Sequence, residues 1–225
     1  MYKYETHLHT SPVSKCAQAS VGETLAFYKS CGYDGVFITN HFLDGNINTD
    51  SSLPYEQKIE FYFSDYEKGV KIGNEIGLKV FFGIESSYKG TDFLVYGLDK
   101  KWFLKNPQIM QMKKSDELNF FRENGALVIQ AHPYRQADYI DHIRLFPECI
   151  DGVEVINANR AELENKMALM FADEYGLLKT AGSDNHIGSN QIHLAGMSAE
   201  EPFSNEEDFI AAVKSRQAKT FSFYR

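Results

Sequence analysis

Long apolar runs are missing from this 225-residue chain: no stretch holds the ~18 consecutive apolar residues that a membrane-spanning helix needs. No basic segment followed by an apolar one opens it, so no signal peptide is expected. Cysteine is scarce. Cys16, Cys31 and Cys149 make an odd total with no Cys-x-x-Cys spacing, which argues against a disulfide framework and for a reducing, cytoplasmic setting. Positive charge is in deficit, with 23 Lys and Arg against 31 Asp and Glu and a net charge of −8. The basic surplus of a dedicated nucleic-acid binder is therefore absent. Tandem repeats, low-complexity tracts and long Gly/Ser/Pro linkers are absent too, and residues 1–225 read as one domain.

What is present is an ordinary globular composition, 43% hydrophobic, in which short apolar runs alternate with amphipathic stretches. That alternation predicts an α/β fold. Strands are expected near Tyr2–Leu8, Gly35–Thr39, Lys79–Ile84, Asp92–Gly97, Ala126–Ala131, Gly152–Ile156 and Leu177–Ala181, with a last one near Lys219–Phe223. Ser20 and Glu23 form a capping-box pattern opening a helix over Val21–Ser30, closed by Cys31-Gly32. Pro54 opens a long helix to about Glu75, and Pro107 another to about Glu123. Two more are expected over Ala161–Tyr175 and Asn205–Ser215. About seven strand–helix alternations predict a parallel, closed barrel.

Histidines and carboxylates track the strand ends. His7 and His9 end the first strand and His41 follows the second. Glu85 ends the third, His132 follows the fifth, Asn157 the sixth, and Asp184 and His186 the seventh. In a β/α barrel all strand C-termini meet on one face, where active sites sit. Imidazoles with a few carboxylates suit Mn, Fe or Zn better than Mg or Ca. Five histidines and two carboxylates exceed one tetrahedral ion and suit two or three, an arrangement that serves in-line displacement at phosphorus.

The motifs Glu5-Thr-His7-Leu-His9-Thr10, Ile38-Thr-Asn-His41, Gly83-Ile-Glu85, Ala131-His132-Pro-Tyr134 and Gly182-Ser-Asp184-Asn-His186 resemble those of the PHP (polymerase and histidinol phosphatase) superfamily, in its order and over nearly the whole chain. The resemblance implies a distorted (β/α)7 barrel, a bi- or trinuclear site and phosphoester hydrolysis. It implies that His7, His9, Glu85 and Asp184 surround one ion, that Glu85 bridges to a second shared with His132, and that His41 and His186 belong to a third. Two positions depart from the family pattern. Where a His or Asp often follows the first motif stands Ser11-Pro-Val-Ser-Lys15-Cys16; Cys16 could supply a thiolate, Lys15 a replacing charge, or the position is empty. Asn40 stands where an Asp usually precedes His41, a poorer ligand that could orient a water. Asp92 is the nearest candidate for a further ligand in the fourth strand.

Glu85 and Asp184 are the expected catalytic carboxylates, and Arg135 and Arg160 are candidate phosphate clamps, each able to grip in a two-pronged way. Asn157 is either a site-facing amide or a helix cap. His142 is placed on the surface of a helix, and His193 in the loop after His186. The expected activity is hydrolysis of a small phosphomonoester. Histidinol phosphatase and protein-tyrosine phosphatase activities are alternatives within the class. An amidohydrolase-like C–N hydrolase and a non-catalytic metal-binding module lie outside it.

Overall fold

A computed structural model describes residues 1–225. Strand β1 (Tyr2–Glu5) is followed by α1 (Val21–Ser30), β2 (Gly35–Ile38), α2 (Tyr55–Ile76), β3 (Lys79–Tyr88), β4 (Thr91–Tyr96), α3 (Lys100–Lys105), α4 (Lys114–Glu123) and β5 (Leu127–Ala131). Then come β6 (Gly152–Asn157), α5 (Glu162–Glu174), β7 (Leu178–Gly182), β8 (His193–Ala199), α6 (Glu206–Lys214) and β9 (Lys219–Tyr224). The strands form one sheet in the order β7-β6-β5-β4-β3-β2-β1-β8-β9. Beyond β1 and β7 the two end segments meet: Leu8 bridges Asn185 in parallel, and Asp184 N donates to His7 O at 2.9 Å. Seven strands thus form a nearly closed barrel, with β8 and β9 as an antiparallel wing on β1.

Side-chain alternation along each strand sorts the apolar residues between two layers. Tyr4, Phe37, Phe81, Tyr96, Leu127 and Ile129 pack together with Phe209 of α6. The neighbouring Phe82, Phe93, Val95 and Val128 instead pack with the outer-layer residues Phe63, Phe103, Phe121 and Phe171. Burying one such side chain contributes about 1.5–3 kcal/mol. Phe209 lies 4.5 Å from Phe37 and 5.1 Å from Tyr96, ring centre to ring centre, so the barrel interior is a packed floor rather than a channel.

The expected all-parallel barrel needs one correction. β4 runs antiparallel to both β3 and β5. Only Lys89 and Gly90 join β3 to β4, too few for a helical crossover, and their φ values of 49° and 79° suit a tight hairpin. β3 also continues past Glu85 to Tyr88. The helix expected from Pro107 to Glu123 divides into a 3-10 turn over Pro107–Gln111 and α4, with extended Met112 and Lys113 between them. The break delivers the Lys114 ammonium to Asp44 at 2.8 Å and Ser86 at 2.7 Å. α3 was not foreseen; Asp99 caps it by accepting from Trp102 N. Nor was β8, whose sequence holds Gly196 because Tyr4 O packs against it and leaves no room for a Cβ. His193 therefore opens a strand rather than lying in a loop. His142 lies exposed in a non-helical segment, not on a helix. No helix is long and apolar enough to cross a membrane.

Candidate metal centre

Local devices at the strand ends aim the side chains into one mouth. The chain stays extended after β1, so His7 and His9 project the same way. β7 can approach because residue 182 is glycine: a Cβ there would collide with His7 Cβ and stand 2.9 Å from Glu154 Oε1. His132 and Asp184, just past β5 and β7, have φ of 27° and 52°. Such backbone costs a non-glycine residue about 1–3 kcal/mol and gathers at functional sites. Here it turns both residues off their strands at the rim of the barrel.

The donor atoms crowd together. His7 Nε2 lies 3.2 Å from His9 Nε2, 3.2 Å from Glu85 Oε1 and 3.4 Å from Asp184 Oδ1. His9 Nε2 lies 3.3 Å from Glu85 Oε2 and 3.4 Å from the same Asp184 oxygen. Tetrahedral donors at about 2.0–2.1 Å from an ion stand about 3.3 Å from one another. Two facing imidazole nitrogens share at most one proton, so hydrogen bonding alone does not account for this convergence. A second group joins His7, Glu85 and His132, with His132 Nε2 3.2 Å from Glu85 Oε1. A third joins His9, His41 and His186 at the outer lip. His41 Nδ1 approaches Glu85 Oε2 to 2.7 Å, yet both atoms are buried without a hydrogen bond of proper direction. Buried polar atoms normally have partners. These orphaned N and O donors fit divalent transition-metal ions.

Surrounding residues hold the donors in place. Glu154, fully buried in β6, sits 2.9 Å from His7 Nδ1 and accepts from His132 N at 3.1 Å and from Asn157 Nδ2 at 2.9 Å. Glu5 accepts from His7 N and Ser183 N, tying β1 to β7. Asn40 accepts from Thr10 N at 2.7 Å and Ser14 Oγ at 2.8 Å, so it pins the loop after the first motif and has no carbonyl left for a water in the cleft. Asn157 faces the site, its amide 3.3 Å from Asp184 Oδ2. Glu154 and Glu5 were not singled out from the sequence.

Burial is the largest influence on His7, His9, Cys16, His41, Glu85 and Asp184. It disfavours the charged form of His7, but Glu154, Asp184 and Glu85 outweigh it and hold that imidazole well above its usual value. His41 is raised against burial chiefly by Glu85. His9 is pushed well down by burial and by the charges of His186 and His41. Glu85 and Asp184 are held well below the carboxylate range by the imidazoles despite burial. Burial opposes the Cys16 thiolate, but contacts with His186 and His41 bring that thiol down to about 6.

The other expected residues divide. Asp92 is buried beside the cleft but stands outside the three donor groups, its Oδ2 3.0 Å from Arg135 Nη2. Arg135 and Arg160 both line the cleft, and the Nε of each is buried without a partner. Cys16 lines it too, whereas Lys15 is exposed and lies outside it. The cleft holds about 680 Å³ and has few apolar walls. His193 stacks on Tyr224 away from it.

Residues 162–218 match a family described as PHP-associated. The fold resembles a two-domain protein of Bacteroides vulgatus containing a predicted PHP-like metal-dependent phosphoesterase, with a TM-score of 0.70 at 16% identity. That likeness covers 99% of this chain and 65% of the other, so the chain spans about two thirds of that protein. A candidate metal-dependent phosphoesterase from Bifidobacterium adolescentis gives 0.58 at 14% identity, over 96% of each chain. PsfC from Pseudomonas syringae gives 0.61 at 14%, over 100% of this chain and 93% of that one. No protein of curated function matches the sequence.

Proposed function

We propose that this chain is a PHP-superfamily domain, a reading supported by its fold and its PHP-associated segment, and that it is a metal-dependent phosphoesterase acting on a small phosphomonoester. The observation that carries the reading is the meeting of His7 Nε2 and His9 Nε2, 3.2 Å apart, with Glu85 and Asp184 at the mouth of the barrel.

His7, His9, Glu85 and Asp184 would hold one divalent ion and Glu85 and His132 a second, and His41 and His186 would belong to a third position. Bound there, Mn, Fe or Zn supplies positive charge to phosphoryl oxygens and lowers the pKa of water toward about 7. The chain's own groups do the rest. Arg135 and Arg160 present guanidinium groups to the phosphate from the cleft wall, and the orphaned Nε atoms leave each a donor free. Asp184, braced by Asn157, is placed to take the proton of an attacking water. The packed floor of Phe37, Phe81 and Tyr96 keeps bulk water from entering below. A cleft of about 680 Å³ with polar walls suits a small phosphorylated molecule.

A C–N hydrolase of the amidohydrolase kind is disfavoured because no lysine reaches the donors: Lys114, the buried one, is spent on Asp44 and Glu117. The test is turnover of a broad phosphate-ester panel with Mn²⁺, with and without chelator. The account expects chelator-sensitive phosphate release, lost in Asp184→Asn while the circular dichroism spectrum is unchanged. No release by fully metallated protein, or hydrolysis of a cyclic amide alone, contradicts it.

A further inference from the structure

We propose that Lys114 is a positioning residue: its ammonium, held behind the cleft, seats the wall of Asp44, Gly45 and Asn46 against the end of β3 and so fixes the shape offered to the group esterified to phosphate. The proposal rests on the reading that the cleft binds a phosphate ester. Lys114 opens α4, yet its side chain is only 5% exposed. Its three N–H donors meet three acceptors: Asp44 Oδ2 at 2.8 Å, Glu117 Oε2 at 2.8 Å and Ser86 Oγ at 2.7 Å. Asp44 lies in the loop after β2, Glu117 in α4 and Ser86 in β3. One cation therefore fastens three segments at one point.

Asp44 passes this constraint to the cleft. Its Oδ2 takes the ammonium, and its Oδ1 accepts from Ser87 N at 3.0 Å. Asp44, Gly45, Asn46 and Ser87 all line the cleft. Gly45 brings the loop flush against the strand: a Cβ there would stand 2.7 Å from Ser87 Oγ and 3.2 Å from His41 Cβ. The Asn46 carbonyl closes the wall by accepting from Lys15 N at 2.9 Å. Stability alone accounts poorly for the ammonium, because well-packed apolar residues usually serve a buried position as well as an ion cluster does. An apolar residue cannot hold two carboxylates together. Without the cation Asp44 and Glu117 repel, and Asp44, the more exposed of the two at 20% against 6%, is the one free to swing into the cleft.

The test compares amide hydrogen exchange in the full chain, wild type against Lys114→Met. Losing a hydrogen bond to a charged group should speed exchange of the Ser87 amide about tenfold or more. The Lys15 amide should quicken with it, while the amides of β6 and β7 keep their rates. A role in stability alone would instead raise exchange across the whole sheet. Should Lys114→Met not fold, Lys114→Met/Glu117→Gln removes the buried carboxylate left unpaired and should show the same local change. On an aryl phosphate with Mn²⁺, KM should rise while kcat holds, because the wall contacts ground state and transition state alike. Unchanged exchange at Ser87, an even rise over the sheet, or a KM equal to that of wild type overturns the proposal. Local loosening with no turnover in any of the proteins supports the seating of the wall and removes the proposed activity. Turnover with Ser87 exchange unchanged removes Lys114 and leaves the activity standing.

Discussion

His7 uses its two ring nitrogens differently. Nε2 faces the donors of the cleft, while Nδ1 faces Glu154 Oε1 at 2.9 Å, in a fully buried pair. Glu154 also fixes the start of the His132 turn through its other oxygen. Removing an outer partner of a metal ligand typically costs 10–100-fold in affinity. Glu154→Ala should therefore weaken metal binding by about 10–100-fold, measured by competition with a chromophoric chelator. Glu154→Gln should lose less, because an amide oxygen can still accept from the ring. Equal affinities in all three proteins would remove Glu154 from the site. The sequence carried a signal for this residue: a lone carboxylate between Val153 and Val155 in an apolar strand with no basic neighbour. The histidines were easier to see, because two of them sit two residues apart. Asn40 was legible as a departure, but its role in pinning Thr10 and Ser14 depends on contacts 26 and 30 residues away.

Elements governed by local chemistry were legible in the chain. The Ser20–Glu23 box opens α1 at Val21 as the pattern requires, and Gly77 with φ of 69° ends α2. Elements shaped by distant partners were not. β8 reads as Ala- and Gly-rich loop until β1 is laid beside it, and the break before α4 follows from the buried Lys114 cluster. The close approach of β7 to β1 is of the same kind. Gly182→Ala would drive a methyl into His7 Cβ and against Glu154. Overpacking of this sort costs about 1–3 kcal/mol. For a chain of this size that lowers Tm by about 2–4 °C per kcal/mol. Thermal melts should show the loss, and metal affinity should fall with it, because the displaced atoms belong to the His7–Glu154 pair. An unchanged Tm with unchanged metal binding would contradict the packing described.

At the scale of the whole molecule, strands from across the chain meet around a buried cluster of imidazoles and carboxylates. Divalent metal should therefore stabilise the fold, by about 4 kcal/mol when its concentration is 1,000 times Kd. The pH dependence separates the two forms. In the metal-free chain His7, His41 and His186 are held above the usual imidazole value of about 6.5. Their contribution is complete below that value and is lost as pH rises through the raised pKa values. Glu85 and Asp184, held low, contribute above the usual carboxylate range and lose that contribution as pH falls through their depressed values. Chelated protein should lose Tm as pH rises above about 6.5 and through the raised imidazole values, whereas metal-loaded protein should hold it, so the gap widens with pH. A constant gap contradicts the protonation pattern.

The most direct test of the central claim is an anomalous-difference map from crystals grown in ample manganese or zinc. The account predicts one peak among His7, His9, Glu85 and Asp184 and a second between Glu85 and His132. A map with no peak among those side chains contradicts it.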